Sequence, residues 1–230
     1  MLGNNPARRQ QLTDGQTLWI QEVYYTLQGE GPFSGEPAVF IRTAGCNLKC
    51  YWCDTEFESS AWHPTLDDLL RRVDEVRPSF TDLVVVTGGE PFRQNIRPLV
   101  IRLLERGFRV EVDTNGTLWV DLPDDPRLYI VCSPKTKNIE RRLVSRVAAF
   151  KYAIAANETD PQDGLPITST QKPGVQTRLY RPPPNSRIFV LPLEDGDRAR
   201  EVENRRACTR TALAFGYRLC LQVHKVLEIG

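Results

Sequence analysis

A chain of 230 residues with 40% apolar and 26% charged side chains and a formal net charge of +1 is composed like a globular protein rather than a disordered or membrane one. Thirty basic against 29 acidic side chains exclude the broad basic excess of a general nucleic-acid binder and leave room only for a local patch. Nothing approaches a run of about 18 apolar residues, and residues 1–10 are polar, so neither a membrane span nor a secretory signal is predicted and a cytoplasmic location is expected.

Residues 38–42 predict a short strand that leads into a cysteine-bearing loop. From 65 to 77, Leu66, Leu69, Leu70, Val73 and Val76 share one helical face, with Thr65 as N-cap and Asp67 and Asp68 in the first turn. Residues 83–86 are an uninterrupted, β-branched apolar run, the pattern of a parallel strand covered on both faces. Ile96, Leu99, Val100, Leu103 and Leu104 repeat the helical spacing, and Gly107 supplies a stop. Strands are predicted at 108–112, 128–131, 150–154, 188–191 and 218–223, with a weaker helical pattern at 197–215 before the last. The interval 157–187 holds Pro161, Pro166, Pro173, Pro182, Pro183 and Pro184, shows no helical stripe and reads as a long loop. Alternating strands and helices favour a mainly parallel α/β sheet, with barrel and open sheet both compatible. No repeat or domain boundary interrupts the chain.

Four predicted strand ends carry small and polar residues: Thr87-Gly88-Gly89-Glu90, Asp113-Thr114-Asn115-Gly116, Ser133-Pro134-Lys135, and Gln222 with His224 and Lys225. Each alone is an ordinary turn. Together they point to one pocket, since ligands of parallel α/β folds bind at the carboxyl ends of strands. Cys46, Cys50 and Cys53 have the spacing C-x3-C-x2-C, whereas Cys132, Cys208 and Cys220 are scattered and read as small buried residues. Three close thiolates suit an iron–sulfur cluster with one iron left open. A structural zinc needs a fourth ligand from afar, and unligated core cysteines are the plain alternative. Tyr51 and Trp52 suit either cluster cover or ordinary packing.

The cysteine loop behind one strand, followed by Gly88-Gly89-Glu90 behind the next, resembles the radical S-adenosylmethionine (SAM) superfamily. Tyr25-Thr26-Leu27-Gln28-Gly29-Glu30-Gly31, the segment 40–45 with Arg42, Cys53-Asp54-Thr55, and the segments at 113–116, 133–135 and 222–225 are similar to one of its families, the 7-carboxy-7-deazaguanine synthases. The likeness spans nearly the whole chain except the first dozen residues and the proline-rich interval. It implies a single radical SAM domain over 1–230 with an incomplete parallel (β/α)6-type partial TIM barrel, working as a homodimer with a [4Fe–4S] cluster, SAM and Mg²⁺ and reduced by a flavodoxin or ferredoxin. The implied activity is that of a carbon–nitrogen lyase of queuosine and 7-deazapurine biosynthesis, which converts 6-carboxy-5,6,7,8-tetrahydropterin to 7-carboxy-7-deazaguanine with loss of ammonia.

Carried over position by position, the resemblance implies Cys46, Cys50 and Cys53 as cluster ligands and Thr55 as magnesium ligand. It places Trp52, Cys53, Asp54, Gly89, Ser133, Pro134 and Lys135 at SAM. Leu27, Gln28, Gly29, Arg42 and Thr87 would bind the pterin, with Gly230 reaching it through a free carboxylate. No further catalytic side chain is implied. Two positions depart from the family: Leu191 stands where a glutamine precedes the proline, and Asp113 where glutamate is common. A glycyl-radical activase and a zinc-stabilised interaction module are the rival readings. An electron carrier, which would typically use four cysteines, is a further one.

Overall fold

The structure, a computed structural model, describes residues 5–229. Its eight strands form one sheet in which spatial order equals chain order. They are β1 (Ile20–Leu27), β2 (Pro37–Thr43), β3 (Leu83–Gly88), β4 (Arg109–Thr114), β5 (Leu128–Cys132), β6 (Val147–Ile154), β7 (Ile188–Pro192) and β8 (Arg218–Leu219). β1 runs antiparallel to β2 and every later pairing is parallel. The sheet curls without closing, the partial barrel expected. Helices α1 (Leu66–Val76), α2 (Arg97–Glu105) and α3 (Arg198–Phe215) cross between β2 and β3, β3 and β4, and β7 and β8; the remaining parallel crossings carry no α-helix.

The helices form where their local signals agree. Thr65 Oγ1 accepts from Asp68 N–H at the start of α1, and Asp197 accepts from Ala199 and Arg200 N–H at the start of α3, which ends on Gly216 with φ of 69°. Leu69, Leu70 and Val73 of α1 and Leu99, Val100 and Leu103 of α2 pack on Val84, Val86, Val110 and Val112, the outer face of β3 and β4. The inner face is small and apolar at one end, where Ala38, Phe40, Leu83 and Val85 meet, and polar at the other. The polar end is the cavity.

Two elements differ from expectation. No strand is predicted at 20–27: β1 carries no clean alternation, because with a register shift between Ile20 and Glu22 only Ile20 and Val23 are buried and Tyr25 half-buried, while its inward side is lined by Tyr24 and Thr26. The final predicted strand, 218–223, shortens to the two residues of β8. Cys220 N–H still bonds Val190 C=O, but Val223 N–H then turns to Gly29 C=O and opens the one-turn helix α4 (Val223–Val226).

The interval 157–187 contains neither helix nor strand, yet it is tied down. Isolated bridges pair Thr159 with Pro166 and Thr168 with Gln176. Arg181 adds to the backbone bonds of the segment: it bonds Leu165, Pro166 and Leu179 C=O and chelates Asp163 at 2.7 and 3.0 Å. Among the described residues no helix is long and apolar enough to cross a membrane.

Candidate active site

β2 ends at Thr43 and the chain swings at Gly45, φ 80°, into the cysteine loop. The end of β3 lies hard against this turn. A Cβ on Gly88 would meet Thr43 O at 2.2 Å and one on Gly89 would meet Gly45 O at 2.3 Å, so the glycines let two backbones touch beneath the loop. Gly89 N–H donates to Thr43 C=O and Glu90 N–H to Gly45 C=O, which fixes Cys46 against the strand ends. The buried Glu90 carboxylate accepts from Phe92 N–H, Thr114 Oγ1 and Asn115 N–H; burial outweighs these bonds and lifts it to about 7.

Cys46, Cys50 and Cys53 are free thiols facing the same cavity. Leu48 N–H points at the Cys46 sulfur at 3.4 Å, and Gln171 Nε2 donates to the Cys50 sulfur at 3.1 Å. Burial pushes the Cys46 thiol up to about 12 and raises Cys53 as well. Such thiols ionise when a metal centre supplies compensating charge. Among the described residues no three His, Cys, Asp or Glu side chains converge on a single metal ion. The donor set, soft sulfurs spread around a cavity and approached by N–H groups, fits a cluster better than one zinc.

The opposite wall is built of buried charge. Lys151 of β6, 4% exposed, puts Nζ 3.0 Å from Glu30 Oε2 and 2.9 Å from Asp113 Oδ1. Gln222 Nε2 donates to the other Glu30 oxygen at 2.8 Å. Fully buried Glu111 accepts from Gln28 Nε2 at 2.5 Å through one oxygen and leaves the other without a partner. One ammonium thus pairs with two carboxylates, and Glu111 lies close enough to feel its charge. Burial alone would raise Glu30, but Lys151 and the two hydrogen bonds bring it down to about 2; burial, with Asp113 beside it, pushes Glu111 well above the ordinary carboxylate range.

The C-terminal segment closes this wall. His224 packs its ring on Gly29, where a Cβ would sit 2.1 Å from Nδ1, and Lys225 Nζ bonds Asp54 Oδ2 with Glu194 3.7 Å away. The cavity enclosed between the two walls holds about 780 Å³, a size that suits small-molecule ligands.

Leu27, Gln28, Gly29, Arg42, Cys46, Cys50, Trp52, Cys53, Asp54, Thr55, Thr87, Gly89, Ser133 and Lys135 all line that cavity. Pro134 does not; it faces a small adjoining pocket shared with Trp52 and Lys135. Gly230 lies outside the described residues, and Ile229 is at the cavity wall. Arg42 already pairs with Glu22 at 2.7 Å across β1 and β2 and donates through Nη2 to Tyr24 OH. Leu191 also faces the cavity, as does Asp113. Lys151 and Glu111 had escaped notice in the sequence. Their signal was a charged residue at an inward position of an otherwise apolar strand, legible once the inward face is known.

Residues 40–128 match the sequence profile of the radical SAM superfamily. The chain is 61% identical to 7-carboxy-7-deazaguanine synthase of Rhodospirillum rubrum, with all of both chains covered. It is 37% identical to the enzyme of that name from Rickettsia prowazekii, over 100% of this chain and 96% of the other. The crystal structure of QueE from Escherichia coli shares the fold, with a TM-score of 0.64 at 24% identity over 89% of this chain and 93% of that one. Partial barrel, cysteine loop and glycine-bearing strand end are those of a radical SAM enzyme, a class that works with a [4Fe–4S] cluster and SAM. Within it, the chain belongs to the 7-carboxy-7-deazaguanine synthase family.

Proposed function

We propose that the chain converts 6-carboxy-5,6,7,8-tetrahydropterin to 7-carboxy-7-deazaguanine with release of ammonia. The observation that carries this reading is the convergence of the thiol wall and the carboxyl wall on one cavity. Cys46, Cys50 and Cys53 hold the cluster, which when bound supplies the electron that opens the sulfonium of SAM. Trp52, Gly89, Ser133 and Lys135 bind the nucleoside; the Lys135 ammonium stands 5.6 Å over the Trp52 ring and keeps that face in place.

Glu30 and Asp113, steadied by Lys151, offer acceptors to the amino and ring N–H groups of the pterin. Gln28 and Thr87 orient it, and the Nη1 edge of Arg42, free of protein hydrogen bonds among the described residues, meets its carboxylate. Thr55 contributes a hydroxyl to Mg²⁺ beside Asp54, an all-oxygen donor pair of the kind that ion takes. A flavodoxin or ferredoxin delivers the electron. The exposed Leu219 of the last strand and Leu221, Val226 and Leu227 beyond it support a homodimer, to be checked by light scattering.

The test is anaerobic incubation of the reconstituted protein with the carboxytetrahydropterin, SAM, Mg²⁺ and dithionite. A deazapurine product together with 5′-deoxyadenosine turnover is expected. Deoxyadenosine without the deazapurine overturns the substrate, and a colourless protein that binds zinc overturns the cluster.

A further inference from the structure

The proline-rich interval carries none of the family motifs read from the sequence, yet one of its side chains contacts the cysteine loop directly. Residues 169–171 fold back onto the cysteine loop: Tyr51 N–H donates to Thr170 C=O at 3.0 Å, and Thr170 Oγ1 donates to Lys135 C=O at 3.0 Å. Half-buried Gln171 places its amide directly beside Cys50. Its Nε2 donates one hydrogen to the Cys50 sulfur at 3.1 Å and the other to Thr170 Oγ1 at 2.7 Å, while its Oε1 accepts from Lys49 N–H at 2.8 Å. The amide orientation is therefore determined. A flip would set the oxygen against the sulfur and the amino group against an N–H.

We propose that Gln171 is a tuning residue that acts through Cys50, raising the potential of the one-electron couple between the oxidised and reduced [4Fe–4S] cluster. The inference rests on the assignment of Cys50 as a cluster ligand. An N–H donated to a ligating sulfur stabilises the electron density that accumulates there on reduction, and hydrogen bonds to sulfur are among the determinants of cluster potential. The donor arrives from a segment held at its base by Arg181 and Asp163, so it is presented by a fixed scaffold.

The experiment is an EPR-monitored redox titration of the reconstituted full chain, comparing wild type with Gln171→Met, which keeps length and removes the donor, and Gln171→Glu, which sets a carboxylate against the sulfur. The midpoint is expected to move to more negative potential in Q171M and further in Q171E, with iron content unchanged. A midpoint that stays in place in both variants at full iron content overturns the proposal. So does a variant that keeps its circular dichroism spectrum but no longer holds iron, because Gln171 would then only anchor the loop. A wild-type protein without a reducible cluster defeats the cysteine assignment itself, a failure distinct from an unmoved midpoint.

Discussion

Lys151 is the residue on which the carboxyl wall depends. Its ammonium is buried and faces Glu30 and Asp113 at 3.0 and 2.9 Å, so Lys151→Met strands two carboxylates that have little other compensation. Removing one partner of a buried pair costs about 3–5 kcal/mol, and urea unfolding at pH 7 should show a loss near the lower bound. The effect has a pH signature. Glu30 is held at about 2 in the folded chain against an ordinary 4.5. Its contribution is complete above pH 4.5 and drains away as the pH falls toward 2, a difference of about 3 kcal/mol at 1.4 kcal/mol per unit. The stability gap between wild type and K151M should therefore narrow between pH 4.5 and 2; a gap constant across that range would place the role of Lys151 elsewhere.

At the scale of elements, the proline-rich segment is a loop held by its own backbone bridges and by one guanidinium. Arg181 reinforces it with bonds to three carbonyls and Asp163. Arg181→Ala should open 157–187 to limited proteolysis while the sheet keeps its circular dichroism, because none of the eight strands of the sheet lies in that segment.

Helix α1 was legible in the sequence because cap and apolar period agreed, α2 because its period ran up to the Gly107 stop, α3 only as a weaker pattern, and β3 because a β-branched run buried on both faces resembles little else. The three cysteines and the glycine strand end were legible as motifs. β1 was hidden by its bulge and by polar residues turned toward the cavity. Lys151 and Glu111 read as surface charge until the topology sets which side of β4 and β6 is interior. Gln171 gave no signal, since its significance arises from a contact with a residue 121 positions away in a stretch without periodicity.

For the whole molecule, the cysteine loop is a junction between the ends of β2 and β3, the segment around Thr170, and the C-terminal segment through Asp54 and Lys225. Chelating the iron from the loaded protein should lower the melting temperature and expose residues 46–58 and 166–177 together to protease, as expected when a bound group stabilises only the folded state. Cleavage confined to one of the two stretches would mean that they are not joined through the cluster.

The strict order of the sheet bears on how the chain is made. A ribosome releasing it delivers each new strand next to a partner that has already emerged, so most pairing proceeds locally despite the parallel topology. The longest-range ties come from the last segment, where Val223 N–H bonds Gly29 C=O and Gln222 bonds Glu30 across 192 residues. A nascent chain can thus assemble nearly all of its scaffold during synthesis, and it acquires a complete reaction chamber only when its final stretch leaves the exit tunnel.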